Sequence, residues 1–448
     1  MPQSWINRSR GAWYALRAHH DPQRILELQN RQLRLLVRHC YERVPFYRRL
    51  YRDAGLEPQD IRDLNDLHRI PIIARADVQH VSADEICSEG ARPKRLLMRR
   101  TSGSSGAPLT IHRSRLEERL LLALKLQAGF ELGLSVQSRR VFIAHSSSAA
   151  SWKKDLYHSP LRNRLGIVPI AELDWQLPKH EFVEHLEMLR PDVIFGAPSV
   201  LSWVAEGLDA KDRERIRPRL MFVGGEQCRP EMMECIERGF GAPIVETYGS
   251  HEFVFLALKP PGAKEYGVCG SSVIVEVLRD GRPVSPGQSG EIVVTGLHSF
   301  AMPFVRYRLG DLVERGGVEG WHSHSVQSLR SIQGRTIDRF ILDSGAIVHP
   351  YTVANLMRDD EPWLRRFQII QQERNRFRVL VVPFVEPSSQ TAERLAHKLE
   401  SVFPELVKVA VEIVEDLPPS ETGKFYTYIA FEQYKRWGGK AEPPSAGH

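Results

Sequence analysis

Cysteine is scarce in this chain. Its 448 residues hold five, Cys40, Cys87, Cys228, Cys235 and Cys269. The number is odd and no Cys-x-x-Cys pair occurs, so neither a disulfide framework nor a zinc ribbon is indicated. Cys228 and Cys235, around an expected helix start, read as plain thiols. No apolar run reaches the length of a membrane span. The stretch Met1 to His20 carries Arg8, Arg10 and Arg17 without the apolar centre of a secretory signal, so a cytoplasmic protein is expected. Charge of one sign is not concentrated either: 61 Lys and Arg face 55 Asp and Glu, a net charge of +6. The basic residues are spread over Arg-rich helix faces instead of forming a block. That disfavours a nucleic-acid binder and leaves room for small anionic ligands such as nucleotides. His322-x-His324 has no acid or cysteine at ligand spacing and reads as a surface loop.

What is present is the composition of a globular protein, 42% hydrophobic and 26% charged. One stretch stands out: Thr101-Ser102-Gly103-Ser104-Ser105-Gly106-Ala107-Pro108, followed by the β-branched pair Thr110-Ile111. Glycines let a backbone approach a ligand closely, and hydroxyls add donors to those of the backbone N–H groups. Such a concave set of donors suits phosphate. Ser/Gly runs are also common as linkers and turns. The run is not a Walker A loop, because no Gly-Lys-Ser/Thr follows.

Around this run the spacing predicts helix over 21–53, broken at Pro45, and a strong helix over Leu116–Leu132. An α/β alternation follows. Its strands are expected at Val141–Ala144, Asp192–Gly196, Leu220–Glu226 and Pro243–Gly249. Its helices are expected at Pro178–Leu189, Ser199–Leu208 and Pro230–Arg238. Polar residues gather where strands end, at Glu226 and at Glu246 to Glu252. Ligands of open α/β sheets sit there. From about residue 270 short strands and turns such as Asp280-Gly281 predict a small antiparallel sheet or barrel. After Gly334-Arg335 a further α+β unit is expected. It includes a helix over Tyr351–Met357, a helix over Ala392–Val402 and a strand over Val407–Val414. The reading is therefore α/β: a large N-terminal domain over 1–335, a smaller α+β domain over 336–437, and a disordered tail over 438–448.

Taken in order, these stretches resemble the adenylate-forming (acyl-AMP) ligase superfamily, and within it the phenylacetate–CoA ligase and CapK-like branch. Thr101–Pro108 is similar to the family's phosphate loop, and Gly224-Gly225-Glu226 to its adenine-side turn. Glu246-Thr247-Tyr248-Gly249-Ser250-His251-Glu252 resembles the aromatic–glycine–hydroxyl–glutamate signature. Tyr307-Arg308-Leu309-Gly310-Asp311 resembles the ribose motif, and Gly334-Arg335-Thr336-Ile337-Asp338 the hinge. Pro419-Ser420-Glu421-Thr422-Gly423-Lys424 resembles the mobile catalytic-lysine loop.

The resemblance implies ATP, Mg²⁺ and coenzyme A, and a small carboxylic acid made into acyl-AMP and passed on. It implies that Thr101, Ser102, Gly103, Ser104, Ser105 and Gly106 hold phosphates and that Glu252 ligates Mg²⁺. Tyr248 would stack on adenine, within a nucleotide site that includes Gly225, Glu226, Glu246, Thr247 and Gly249. Asp311 would accept the ribose hydroxyls, Arg335 would lie near ribose or phosphate, and Lys424 would meet the α-phosphate and carboxylate oxygens. It also implies a C-terminal domain that rotates about Arg335–Arg339 between two half-reactions. The chain departs from the pattern at His251, Leu309 and Ile337. Isolated Cys269 leads to no structural zinc being expected. An amine instead of coenzyme A as acceptor, and a nucleotide-binding chain without turnover, are the alternatives. Acid-pocket walls are expected around Phe142–Ser148, Gly196–Pro198 and Phe222–Gly225. A monomer or homodimer fits equally well.

Overall fold

The computed structural model describes residues 21–91, 95–100, 109–135, 137–144, 170–174, 177–317, 326–335, 340–348, 353, 363–383, 388–417 and 426–440. The first helix, Pro22–Arg43, starts where Asp21 Oδ1 accepts the Gln23 N–H at 2.9 Å. It stops at Val44 because Pro45 has no N–H to continue it, and Pro45 opens the next helix, Pro45–Asp53. The buried face of the first helix carries Ile25, Leu33, Leu36 and Cys40. Its Gln29 amide donates to the carbonyls of Gly270 and Val273 at 2.9 and 3.1 Å, fastening the helix to the sheet.

Strands β1 (Leu97–Arg100) and β2 (Thr110–Arg113) pair antiparallel with Arg100 opposite Thr110, so the Ser/Gly-rich stretch joins two paired strands. The helix Arg115–Glu131 follows, with a capping box between Ser114 and Glu117. The second oxygen of that buried glutamate accepts the N–H groups of Phe300 and Ala301 at 2.7 and 2.8 Å. Then comes the parallel unit: β3 (Arg140–Ala144), β4 (Ile170–Asp174), β5 (Val193–Gly196), β6 (Leu220–Gly224) and β7 (Ile244–Tyr248). Helices Lys179–Leu189, Pro198–Ala205, Ala210–Ile216 and Pro230–Phe240 cross between strands. In-register pairing sets Phe142, Phe195 and Phe222 side by side, and their rings stack at 4.4 and 4.7 Å.

The later strands pair antiparallel, as the sequence led one to expect, but they do not stand apart as a small sheet or barrel: they continue the parallel sheet. These are β8 (Ala257–Lys259), β9 (Tyr266–Val268), β10 (Val273–Arg279), β11 (Arg282–Pro283), β12 (Ser289–Gly296), β13 (Tyr307–Arg315) and β14 (Ser328–Arg335). Together they make one twelve-stranded sheet in the order β11-β10-β12-β13-β14-β9-β8-β7-β6-β5-β3-β4. The joint is β8, which turns back antiparallel on β7, Tyr248 opposite Ala257. A three-residue strand carries too little alternation to be seen in a sequence.

The C-terminal unit has a hairpin, β15 (Phe340–Ile341) with β16 (Ile347–Val348), and a four-stranded sheet in the order β19-β18-β17-β20. Its strands are β17 (Leu364–Glu373), β18 (Arg376–Pro383), β19 (Lys408–Ile413) and β20 (Tyr428–Ile429). One face packs the helix Ser389–Glu400 through Leu395 and Leu399 on Phe377 and Val379. The other packs Trp437 and Leu417 on Ile370 and Leu380. Hydrogen-bonded turns run on from the helix Phe431–Arg436 to Lys440, three residues into the stretch expected as a tail. Residues 441–448 and the helix expected at Tyr351–Met357, Val353 excepted, lie outside the described residues.

Candidate active site

Strand ends β6 and β7 are held unusually close. A Cβ on Gly224 would lie 2.2 Å from Thr247 Oγ1, so only glycine fits beside that hydroxyl. Thr247 Oγ1 itself donates to the Val223 carbonyl at 2.8 Å. Gly225 then takes φ +89°, a left-handed value that favours glycine, and the turn carries Glu226 outward. Glu226 Oε1 accepts the Ser199 N–H at 2.6 Å, at the start of the helix Pro198–Ala205. Past β7, a Cβ on Gly249 would meet the Val254 carbonyl at 2.4 Å, so the chain turns back tightly through Ser250, His251 and Glu252.

The turns at the ends of β6 and β7, with β13 and β14, line a cleft of about 250 Å³. Gly225, Glu226, Glu246, Thr247, Tyr248, Gly249 and Asp311, all singled out from the sequence, face it. Tyr248 Oη donates to Asp311 Oδ2 at 2.6 Å. The β13–β14 register places Asp311 opposite Arg335, so the two motifs meet on neighbouring strands. Glu246 lines the cleft with both oxygens engaged: Lys259 Nζ lies 2.8 Å from one and Tyr266 Oη donates to the other at 2.5 Å. Burial and the adjacent Glu246 carboxylate push the Tyr266 phenol up.

Glu252 is buried, and Tyr307 Oη donates to its Oε1 across 3.4 Å. Its peptide is gripped by Arg113 at the end of β2, whose Nη2 donates to the carbonyls of His251 and of Glu252, the latter at 2.8 Å. Burial pulls the Arg113 guanidinium below its ordinary value while the neighbouring Glu118 opposes that. The same arginine pairs with Glu118 at 3.3 Å, as Arg99 on β1 does at 2.7 Å. The hairpin flanking 101–108 is thus tied to the Glu252 turn. Thr101, Ser102, Gly103, Ser104, Ser105, Gly106 and Lys424 lie outside the described residues, as does the Arg335 side chain.

The sequence reading missed part of the lining. Tyr266 with Lys259 orders Glu246, and their signal lay in pairing across β7, β8 and β9. Arg229, Tyr426, Tyr428 and Gln433 also face the cleft. The last three belong to the C-terminal unit, which therefore closes one side of it. Tyr426 stands two residues after Lys424, so this part of the wall was adjacent to a motif already noticed.

A fit to Mg²⁺ can be judged from the donor set. Among the described residues no group of three or more His, Cys, Asp or Glu converges. A cation that brings a nucleotide's own phosphate oxygens needs only one or two protein carboxylates. Glu252, a buried hard oxygen donor, meets that need. The Ser250 hydroxyl, two residues before it, is buried and has no hydrogen-bond partner among the described residues.

Residues 156–302 match the AMP-binding enzyme family and residues 340–430 the CapK C-terminal domain. The chain is 24% identical over 421 residues to phenylacetate-coenzyme A ligase of Escherichia coli (strain K12), covering 88% of this chain and 92% of the relative. It is 22% identical over 411 residues to protein CapK of Staphylococcus aureus, covering 89% and 88%. Among solved structures, 2-hydroxyisobutyryl-CoA ligase in the postadenylation state with R3-HIB-AMP superposes with a TM-score of 0.72 at 18% identity, covering 92% of this chain and 91% of that one. The same ligase in its thioesterification state, at equal coverage, gives 0.59. The chain thus carries an AMP-binding enzyme domain followed by a CapK C-terminal domain and is similar over most of its length to phenylacetate-CoA ligase and to CapK, consistent with the phenylacetate–CoA ligase and CapK branch of the adenylate-forming ligases.

Proposed function

We propose that this protein is an ATP-dependent, AMP-forming ligase that activates a carboxylic acid and transfers the acyl group to coenzyme A. One observation carries the reading. The Tyr248–Asp311 pair and the stretch Glu246–Gly249 line one cleft that residues of the C-terminal domain close on one side, and Arg113 of the hairpin flanking 101–108 grips the adjoining Glu252 turn.

In the first half-reaction a carboxylate oxygen attacks the α-phosphorus of ATP, and the bond from that phosphorus to the bridging oxygen breaks, releasing pyrophosphate. In the second, the coenzyme A sulfur attacks the acyl carbon and AMP leaves. Two anions must first be brought together, so positioning and charge neutralisation dominate. Thr101–Gly106 supplies backbone and hydroxyl donors to the phosphates. Asp311, already oriented by Tyr248, accepts ribose hydroxyls, while the Tyr248 ring lies along the base. Gly225, Glu226, Thr247 and Gly249 shape the nucleotide wall, and Glu246 stiffens it through Lys259 and Tyr266. Glu252 would hold Mg²⁺, which when bound would supply positive charge to the phosphate oxygens. Arg335, opposite Asp311 in register, brings a cation to the ribose–phosphate side. Lys424, two residues before cleft-lining Tyr426, brings a point charge to the α-phosphate.

The test is pyrophosphate release with ATP and Mg²⁺ over pooled carboxylic acids, with hydroxylamine trapping the adenylate. Release that depends on one pool, followed by thioester on adding coenzyme A, is the expected result. An adenylate that reacts with an amine and never with coenzyme A would reassign the acceptor. Lys424→Ala should slow pyrophosphate release by about a hundredfold or more, the scale of losing one preorganised charge at a transition state. It should leave thioester formation from supplied acyl-AMP much less affected. A Lys424→Ala protein adenylating at the parent rate would sink that assignment.

A further inference from the structure

We propose that Arg366 is a positioning residue that clasps the C-terminal domain over the nucleotide cleft in the acyl-AMP-forming arrangement. Its catalytic consequence rests on the ligase reading above; the clasp itself rests on geometry alone.

Arg366 stands near the start of β17 with its side chain 6% exposed. It straddles the domain boundary. Nη2 lies 3.1 Å from Glu206 Oε1 of the N-terminal domain. Nη1 lies 3.4 Å from Asp416 Oδ1 and 3.5 Å from the Leu417 carbonyl of its own domain. Glu206 directly follows the helix Pro198–Ala205, whose other end is capped by Glu226 of the nucleotide turn. One eight-residue helix therefore has the nucleotide turn at its N-terminus and the clasp at its C-terminus. The neighbouring residue repeats the link. The Phe367 ring lies 4.9 Å beneath the guanidinium of Arg229, which leaves that same turn and lines the cleft.

The two sides of Arg366 behave differently when the domains part. Removing one partner from a buried ion pair is costly, because the remaining charge is left unpaired in a low-dielectric site. Arg366 escapes most of that cost, since Asp416 and the Leu417 carbonyl travel with it. The pair with Glu206 exists only while the C-terminal domain sits over the cleft. This makes the contact strong enough to favour one arrangement and still releasable.

Hydrogen exchange on the whole, ligand-free protein tests the clasp without any substrate. Arg366→Ala should speed exchange about tenfold or more in peptides spanning 223–229 and 426–429, which face each other across the cleft, and leave β18 and β19 unchanged. Glu206→Ala should do the same, and the double variant should add nothing further. Asp416→Ala should leave the cleft peptides as in the parent, and Arg366→Lys should restore most of the protection. Unchanged cleft peptides in Arg366→Ala, or equal acceleration throughout the C-terminal domain, would overturn the proposal. So would additive effects in the double variant.

A second arm reads the half-reactions, with the acid found by the pooled assay. Pyrophosphate release should fall about tenfold in Arg366→Ala while thioester formation from supplied acyl-AMP holds or rises; equal losses in both would count against positioning. If no acid supports release in the parent protein, the ligase reading fails and the exchange experiment still decides the clasp.

Discussion

At the scale of single residues, the site depends on side chains paired over long sequence distances. Asp311 was visible as the acid of a motif; its partner Tyr248, 63 residues earlier, was visible as an aromatic in another. Nothing in either stretch says that the phenol orients the carboxylate. Tyr248→Phe keeps the ring and removes that donor. It should raise the KM for ATP about fivefold to tenfold, the worth of one hydrogen bond to a charged group. Asp311→Ala should raise it further, by about a hundredfold, while leaving the unfolding midpoint near the parent's. Equal KM values in the parent and Tyr248→Phe would remove the orienting role.

His298 gives a pH dependence. It is buried and donates Nε2–H to the Ser271 carbonyl at 2.7 Å, and burial holds its folded value below the ordinary 6.5. The unfolded chain thus takes up a proton that the folded chain refuses, so stability rises with pH here. The contribution is fully present above about 6.5 and is lost as pH falls from there through the lowered folded value. The urea midpoint should drop across that window, and His298→Gln should flatten the drop.

At the scale of elements, the sequence pattern located most strands and helices because each buries one regular face. The stretch over 21–53 broke at Pro45 for the reason proline always gives, a missing donor. The antiparallel strands were visible one by one; their fusion with the parallel sheet was not. That fusion depends on β8 and β9, three residues each. Such strands are specified by the neighbours they pair with and not by their own periodicity. Gly224 shows the same limit. Its place in a Gly-Gly-Glu turn suggested nucleotide binding, whereas the structure adds a packing reason, the Thr247 hydroxyl and carbonyl at 2.2 and 2.7 Å from any added Cβ. Gly224→Ala should destabilise the protein by about 1–3 kcal/mol through overpacking, read as a lower urea midpoint. It should also weaken ATP binding, because β6 and β7 must spread at the cleft. A midpoint equal to the parent's would mean the strand ends yield freely.

At the scale of the whole molecule, two bodies with separate cores meet at one cleft. The C-terminal unit has its own centre, where the Phe377 ring lies 5.1 and 4.5 Å from those of Phe340 and Phe403, and a second cluster around Trp437. A fragment spanning 340–440 should therefore refold alone with a cooperative melt by circular dichroism. A gradual, non-cooperative loss of signal would show that it needs the N-terminal domain. The sequence by itself showed six short motifs in a fixed order, and their resemblance to those of adenylate-forming ligases pointed to the class of chemistry, because such motifs concentrate the hydroxyls, carboxylates and cations that a nucleotide demands. It also determined the division into a large and a small unit, since each writes its own hydrophobic pattern. The tertiary structure alone decided how those pieces face one another: Tyr248 against Asp311, Arg113 holding the Glu252 turn, β8 joining two sheets, Arg366 reaching Glu206. Apart from the short-range pairing of β8, these are contacts between residues 63 to 160 positions apart. Their energy depends on distance, burial and the absence of competing partners, none of which a local pattern of residues records.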